Sequence, residues 1–232
     1  MNALPKETET PAAAPSEDVF DDVWREIAAT EGAARFPDRI FWLNGAPGAG
    51  KGTHTPAILR HLKLETPPIV VSDLIKSPAA QKLIDAGLLV GDREVLTLLL
   101  AKLRDPQYAN GVLVDGFPRT AAQVGFLRQF HTRLSRHNAS QALPPPHFAT
   151  LVLLVDEKES VARQMKRGRE AKASGGEIRK TDLDPGLAAC RYRVFAEQTL
   201  APLQTLRDTF PYHLIEPYGT IEEVSARILA AL

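Results

Sequence analysis

The chain has 232 residues, 44% of them hydrophobic and 24% charged, with 28 Lys and Arg against 28 Asp and Glu. At about 150 residues per domain this is one substantial domain with additions, long enough to bury a core without covalent staples. Zero net charge excludes the strongly basic balance of a dedicated nucleic-acid coat, the single cysteine (Cys190) excludes an intrachain disulfide and a four-cysteine zinc site, and no apolar run reaches the ~18 residues of a bilayer span.

Residues 1–17 are rich in Ala, Pro, Thr and Glu and are predicted to be a disordered tail. They lack the basic-then-apolar order of a secretory leader, and Glu7, Glu9 and Glu17 are unlike a mitochondrial presequence. Across residues 18–38, Val19, Phe20, Val23, Trp24 and Ile27 recur at helical spacing, which predicts an amphipathic extension packed on the body. From Arg39 onward, short β-branched runs alternate with helical stretches. The runs are Arg39–Asn44, Ile69–Ser72, Val112–Asp115, Thr150–Asp156 and Tyr212–Glu216. Unbroken hydrophobicity marks strands buried on both faces, and strand–helix repetition predicts an α/β fold with a five-stranded parallel sheet. Residues 131–147, with Pro144, Pro145 and Pro146, are predicted to form a long surface loop. Cys190 is read as a buried small hydrophobe.

The first strand runs into Gly45-Ala46-Pro47-Gly48-Ala49-Gly50-Lys51-Gly52-Thr53 and then a helix. Glycines let a backbone turn several N–H groups inward as an anion nest, to which the next helix adds its positive end. Lys51 adds a point charge for outer phosphates. The strict phosphate-loop pattern puts Ser or Thr directly after the lysine, whereas here Gly52 intervenes. Further basic residues follow: Arg119 behind a strand end, Arg163 and Arg167 four apart on one helix face, Arg179 and Lys180, and Arg191. Aligning two polyphosphates needs positioning and charge neutralisation more than a general base, and arginine forks suit that task.

The string GAPGAGKGT resembles the loop of the adenylate kinase family of nucleoside monophosphate kinases, where Gly between Lys and Thr is usual. Asp115-Gly116-Phe117-Pro118-Arg119-Thr120 with Gln123 behind it is similar to that family's DGFPRT segment, and Asp73-Leu74-Ile75-Lys76 and Asp85-Ala86-Gly87-Leu88-Leu89-Val90 resemble its monophosphate-binding stretch and the link after it. The resemblance implies a P-loop NTPase-type three-layer sandwich over residues 39–232, with a helical monophosphate-binding insert at 72–101 and a short lid at 168–187. It implies that Gly45, Gly48, Ala49, Gly50, Lys51, Gly52 and Thr53 cradle the triphosphate of ATP, with Arg163 against its base. Val71, Ser72, Lys76, Gly116, Arg119 and Gln123 would hold the monophosphate, Gln123 by hydrogen bonds to adenine. Lys51, Arg119, Arg167 and Arg191 would serve catalysis, Lys180 and Asp182 the lid, and Asp115 would hold waters of the Mg²⁺ that accompanies ATP.

Three departures fall on the acceptor side. Where the family has Thr, Gly and Arg, this chain has Val71, Ser72 and Lys76, losing a hydroxyl, adding a Cβ and losing a bidentate fork. The lid segment is short for the family's β-rich lid; a gap-free count puts Lys180 where the family has arginine, with Arg179 one residue away. The reading is a cytoplasmic, monomeric phosphotransferase that moves a phosphoryl group from Mg-ATP to AMP, with no nucleic-acid or membrane partner. Two rivals stay open: a kinase for another nucleoside monophosphate such as UMP or CMP, and a nucleotide-binding regulatory protein without turnover.

Overall fold

The computed structural model describes residues 21–25, 36–176 and 178–232; the predicted tail and most of the amphipathic extension lie outside these residues. Five strands form one wholly parallel sheet in the order β2-β3-β1-β4-β5: β1 Arg39–Gly45, β2 Ile69–Val70, β3 Val112–Asp115, β4 His147–Leu153 and β5 Tyr212–Ile215. The connecting helices are α1 Lys51–Leu62, α2 Pro78–Asp85, α3 Asp92–Leu103, α4 Ala121–Ser140, α5 Glu157–Ser174, α6 Pro185–Val194 and α7 Ile221–Ala230. The central strands are apolar on both faces, as a covered sheet requires: Ile40, Trp42 and Leu43 of β1, and Val112 and Val114 of β3, have no exposed surface. Trp42 sits between Phe117 and Phe148, each with ring centroids 5.5 Å away. None of the described helices is long and apolar enough to cross a membrane.

Strand lengths follow the register. β2 pairs only through Ile69↔Val114 and Val70↔Asp115. Beyond Asp115 the neighbouring chain turns at Gly116, so the predicted strand residues Val71 and Ser72 have no ladder to join, and Val71–Leu74 is a helical turn. β4 starts at His147, earlier than the predicted Thr150, because β1 offers partners from Arg39↔His147 to Gly45↔Leu153. It stops where β1 becomes the glycine loop, leaving Leu154, Val155 and Asp156 outside the strand.

The predicted loop at 131–147 is mostly helix. α4 continues to Ser140 because Phe126, Leu127, Phe130 and Leu134 keep one buried stripe at helical spacing. Asn138 closes that stripe, its amide donating to Asp38 Oδ1 and to the Pro144 carbonyl, both at 2.8 Å. Only residues 141–146 remain as the connection. Cys190 is partly exposed, because α6 packs its Ala188 side inward. At the N-terminus residues 21–25 are helical. Val23 is fully buried, Trp24 packs against Phe36 and Phe130, and Asp21 pairs with Arg133 of α4.

Candidate active site

In a parallel sheet all carboxyl ends meet at one edge, where α/β proteins bind ligands. Here β1 delivers Gly45, β3 delivers Asp115 and β4 leads to α5. The glycine loop lies directly against the sheet: Gly45 has φ 144°, and a Cβ built there would stand 2.2 Å from the Leu153 carbonyl oxygen. Any side chain would therefore push the loop off β4. Asn44, almost fully buried, ties two motifs together. Its Oδ1 accepts from the Gly45 N–H at 2.8 Å while its Nδ2 donates to the Pro118 carbonyl. From α5, the Ser160 hydroxyl donates to the Pro47 carbonyl at 2.7 Å. Helix α1 begins at Lys51 with neither a side-chain cap nor an acidic residue in its first turn, so its leading N–H groups carry the uncompensated positive end that an anion fits.

Lys51 folds back over the loop and donates to the Gly45 and Ala46 carbonyls at 2.9 and 3.3 Å. Burial pushes its ammonium down to about 8. Asp115 opposes that shift, while Arg119, Arg191 and Arg167 add to it. Arg119 is gripped three ways: its Nε donates to the Gly116 carbonyl at 2.7 Å, its backbone N–H donates to Gln123 Oε1 at 2.8 Å, and its carbonyl accepts from the Thr199 hydroxyl at 2.7 Å. Thr199 lies in a widened π turn, Phe195–Leu200, that continues α6, a distortion often found at functional sites. The terminal nitrogens of Arg119 have no hydrogen-bond partner among the described residues. Burial holds its guanidinium below the usual range, with Asp115 opposing and Arg179 adding; it stays charged at neutral pH.

Across the edge, Arg167 makes a bidentate pair with Asp182, at 2.6 and 2.7 Å. Arg191 reaches the same carboxylate at 3.9 Å and lies within 3.5 Å of Gln164 and 3.4 Å of Thr181. Burial pushes Arg191 down to about 9, with Arg179, Arg119 and Arg167 adding repulsion and Asp182 opposing. Asp182 comes this close because residue 168 is glycine. A Cβ there would lie 2.1 Å from the Asp182 carbonyl oxygen.

Lys51, Arg119, Arg167, Arg191 and Asp115 thus share one electrostatic neighbourhood. Other residues singled out from the sequence lie elsewhere. Lys180 pairs with Asp85 of α2 and is exposed, while Arg179, one residue earlier, bears electrostatically on Arg119 and Arg191. Arg163 stands beside the loop, bonded to Glu159 at 2.6 Å and the Pro217 carbonyl at 3.0 Å and lying over the Tyr218 ring. Val71 is a core residue, while Lys76 is exposed and makes no ion pair with a described residue. Gln123 is buried, with its amide engaged inside the protein. His54 is buried against Ser225, its Nδ1 2.9 Å from the hydroxyl. Sequence reasoning missed Asn44, Ser160, Gln164, Gly168 and Thr199, whose roles are tertiary.

A phosphate loop on a parallel sheet, faced by arginines brought from three other segments, defines a P-loop kinase of the nucleoside monophosphate class. Comparison with known proteins agrees. A family model described as an AAA domain matches residues 44–179. The adenylate kinase of Rhodococcus erythropolis is 34% identical over 203 residues, spanning 82% of this chain and 97% of the relative. The adenylate kinase of Xanthobacter autotrophicus is 33% identical over 80% of this chain and 94% of its own, and that of Brucella abortus 32% identical over 80% and 94%. The chain belongs to the adenylate kinase family.

Proposed function

We propose that this protein transfers the terminal phosphoryl group of Mg-ATP to AMP, reversibly, giving two ADP. The observation that carries the reading is the convergence of Lys51, Arg119, Arg167 and Arg191 on one sheet edge beside the glycine loop, with Arg119's terminal nitrogens unused by described residues. Residues 39–232 form the kinase domain, with 72–101 the acceptor insert and 168–187 the cover. Gly45 to Thr53 and the start of α1 hold the ATP phosphates, and Arg163 with Tyr218 flanks the base. Lys51 follows the transferred phosphoryl, Arg119 bridges it to the acceptor phosphate, and Arg167, Arg191 and Arg179 neutralise charge on the far side. Such a site works by alignment and charge compensation, with water kept out.

Magnesium fits the chemistry at Asp115. Its Oδ1 is buried without a hydrogen-bond partner among the described residues, and no cluster of three metal-ligating side chains exists among them. A single carboxylate suits an ion that keeps its waters and takes the rest of its ligands from phosphate oxygens. When bound, the ion supplies charge neutralisation between the outer phosphates.

AMP as acceptor is supported by the relatives, each named adenylate kinase. The test is incubation with Mg-ATP and AMP, UMP, CMP or GMP in turn, following diphosphate formation. Turnover confined to AMP is expected. Preference for another monophosphate overturns the acceptor, and nucleotide binding without any turnover overturns the kinase reading.

A further inference from the structure

We propose that Asp92 is a positioning residue, the anchor that fixes the Gln123 amide and, through it, the placement of Arg119. Asp92 opens α3, in the acceptor insert. From sequence it reads only as an acid favourable at a helix start. In the fold a single oxygen, Oδ1, accepts from Gln123 Nε2 at 2.8 Å and from the Thr120 hydroxyl at 2.9 Å. The Thr120 hydroxyl in turn caps α4 by accepting from the Gln123 N–H at 3.1 Å. A closed ring of bonds thus joins α3 to the segment that carries Arg119.

The chemistry of this ring dictates its polarity. A backbone N–H can only donate, so the Gln123 atom facing Arg119 N must be the oxygen; a carboxylate at neutral pH only accepts, so the atom facing Asp92 must be the nitrogen. The amide cannot flip without breaking both bonds. Two consequences follow. The Arg119 backbone is held on one side by Gln123 and on the other by Thr199, and Nε is held by the Gly116 carbonyl, leaving the terminal nitrogens as the part not bonded to described residues. Any acceptor base that meets Gln123 meets an amide with one lone pair and one N–H left, in a fixed order. Removing Asp92 frees the amide to rotate and loosens Arg119.

The inference rests on the kinase reading above, and the test separates the two. The wild-type protein is first assayed with the four monophosphates, and the remaining work uses whichever it phosphorylates best, so an acceptor other than AMP leaves the test intact. Turnover with none of them overturns both readings. D92A is expected to lower kcat by about tenfold or more, the effect of losing a hydrogen bond to a charged group, and to relax the acceptor preference, with KM for ATP little changed. D92N keeps an accepting oxygen and is expected to retain most of the activity. In a double-mutant cycle, D92A added to Q123A is expected to cost little more than Q123A alone, because both break one linkage. Wild-type kcat and acceptor preference in D92A would overturn the proposal. So would fully additive losses in the cycle, or equal impairment of D92A and D92N with a parallel fall in melting temperature, which would make Asp92 structural only.

Discussion

The two halves of the site proposed to hold the donor and the acceptor are built differently. On the donor side the backbone dictates nearly everything. Gly45 presses on the Leu153 carbonyl, Lys51 sits on two loop carbonyls and Ser160 holds Pro47. On the proposed acceptor side Val71 belongs to the core, while the Ser72 hydroxyl bonds, among the described residues, only its neighbour Asp73 and Lys76 faces solvent. Phosphates make the same demand of every nucleotide, so their cradle leaves few choices of residue. A base and a single phosphate can be held in more ways, and it is there that this chain departs from the family pattern. The halves meet at Arg119, tethered from Gly116, Gln123 and Thr199, while Asn44 holds the adjacent Pro118.

If Arg119 is the group the halves share, its loss is the largest single effect. Arg119→Ala is expected to lower kcat about a hundred- to a thousandfold, the range seen when one preorganised charge-stabilising donor is removed. The melting temperature should change little. Near-normal turnover in a folded variant would break the comparison at its centre.

Next comes the cover. Gly168→Ala places a Cβ on the Asp182 carbonyl. The turn at 180–182 must move, taking with it the carboxylate that holds Arg167. Overpacking of this kind costs about 1–3 kcal/mol. The expected outcome is a lower melting temperature together with about a tenfold to hundredfold fall in kcat, if the misplaced Arg167 loses most of its contribution. Unchanged kinetics would mean that the Arg167–Asp182 pair plays no part in turnover.

These two sites were legible in the sequence to different degrees. Arg119 stands in a motif behind a strand end, and the loop with its lysine, the five strands and the helix that follows the loop are legible from local pattern. What local pattern does not carry is partnership. Nothing in Lys180-Thr181-Asp182 says that Lys180 will turn to Asp85 and leave Arg179 beside the cluster. Likewise the proline run suggested a loop from residue 131, whereas the buried stripe ending at Asn138 extends the helix to Ser140. Strand ends were set by a neighbour's register, which no single segment contains.

The donor half also has a pH signature. Burial pushes the Lys51 ammonium from an ordinary 10.5 down to about 8. A bound polyphosphate favours the charged ammonium, so ATP affinity is expected to be flat below pH 8 and to weaken by up to about tenfold per unit above it. Folding stability moves the other way. The unfolded chain holds this proton up to its ordinary value while the folded one releases it, so the contribution of Lys51 to stability rises between pH 8 and 10.5. Calorimetric titration with ATP at pH 7, 8 and 9 should show the weakening, with net proton uptake near pH 8. Lys51→Met should bind weakly without the break at 8. A wild-type affinity flat through pH 9 would mean either that Lys51 stays charged over that range or that it does not meet the phosphates. Lys51→Met separates the two: weakened binding leaves the contact in place, unchanged binding removes it.

The smallest effect belongs to the acceptor half. Lys76 keeps the charge expected beside the acceptor phosphate, but an ammonium is a point charge where a guanidinium offers a planar fork. It is exposed and unpaired among the described residues, so Lys76→Arg disturbs no packing and breaks no bond. The gain is confined to binding, because a contact to the acceptor phosphate that is equal in ground and transition states lowers KM without raising kcat. A fall in acceptor KM of about three- to tenfold is expected, with kcat and the KM for ATP unchanged, when the acceptor is varied at saturating Mg-ATP. One added charge-assisted hydrogen bond at an exposed position supports a change of that size and no more. An unchanged acceptor KM would place the monophosphate away from residue 76, and the looser pattern of this half would then reflect a relocated phosphate site instead of a weakened one.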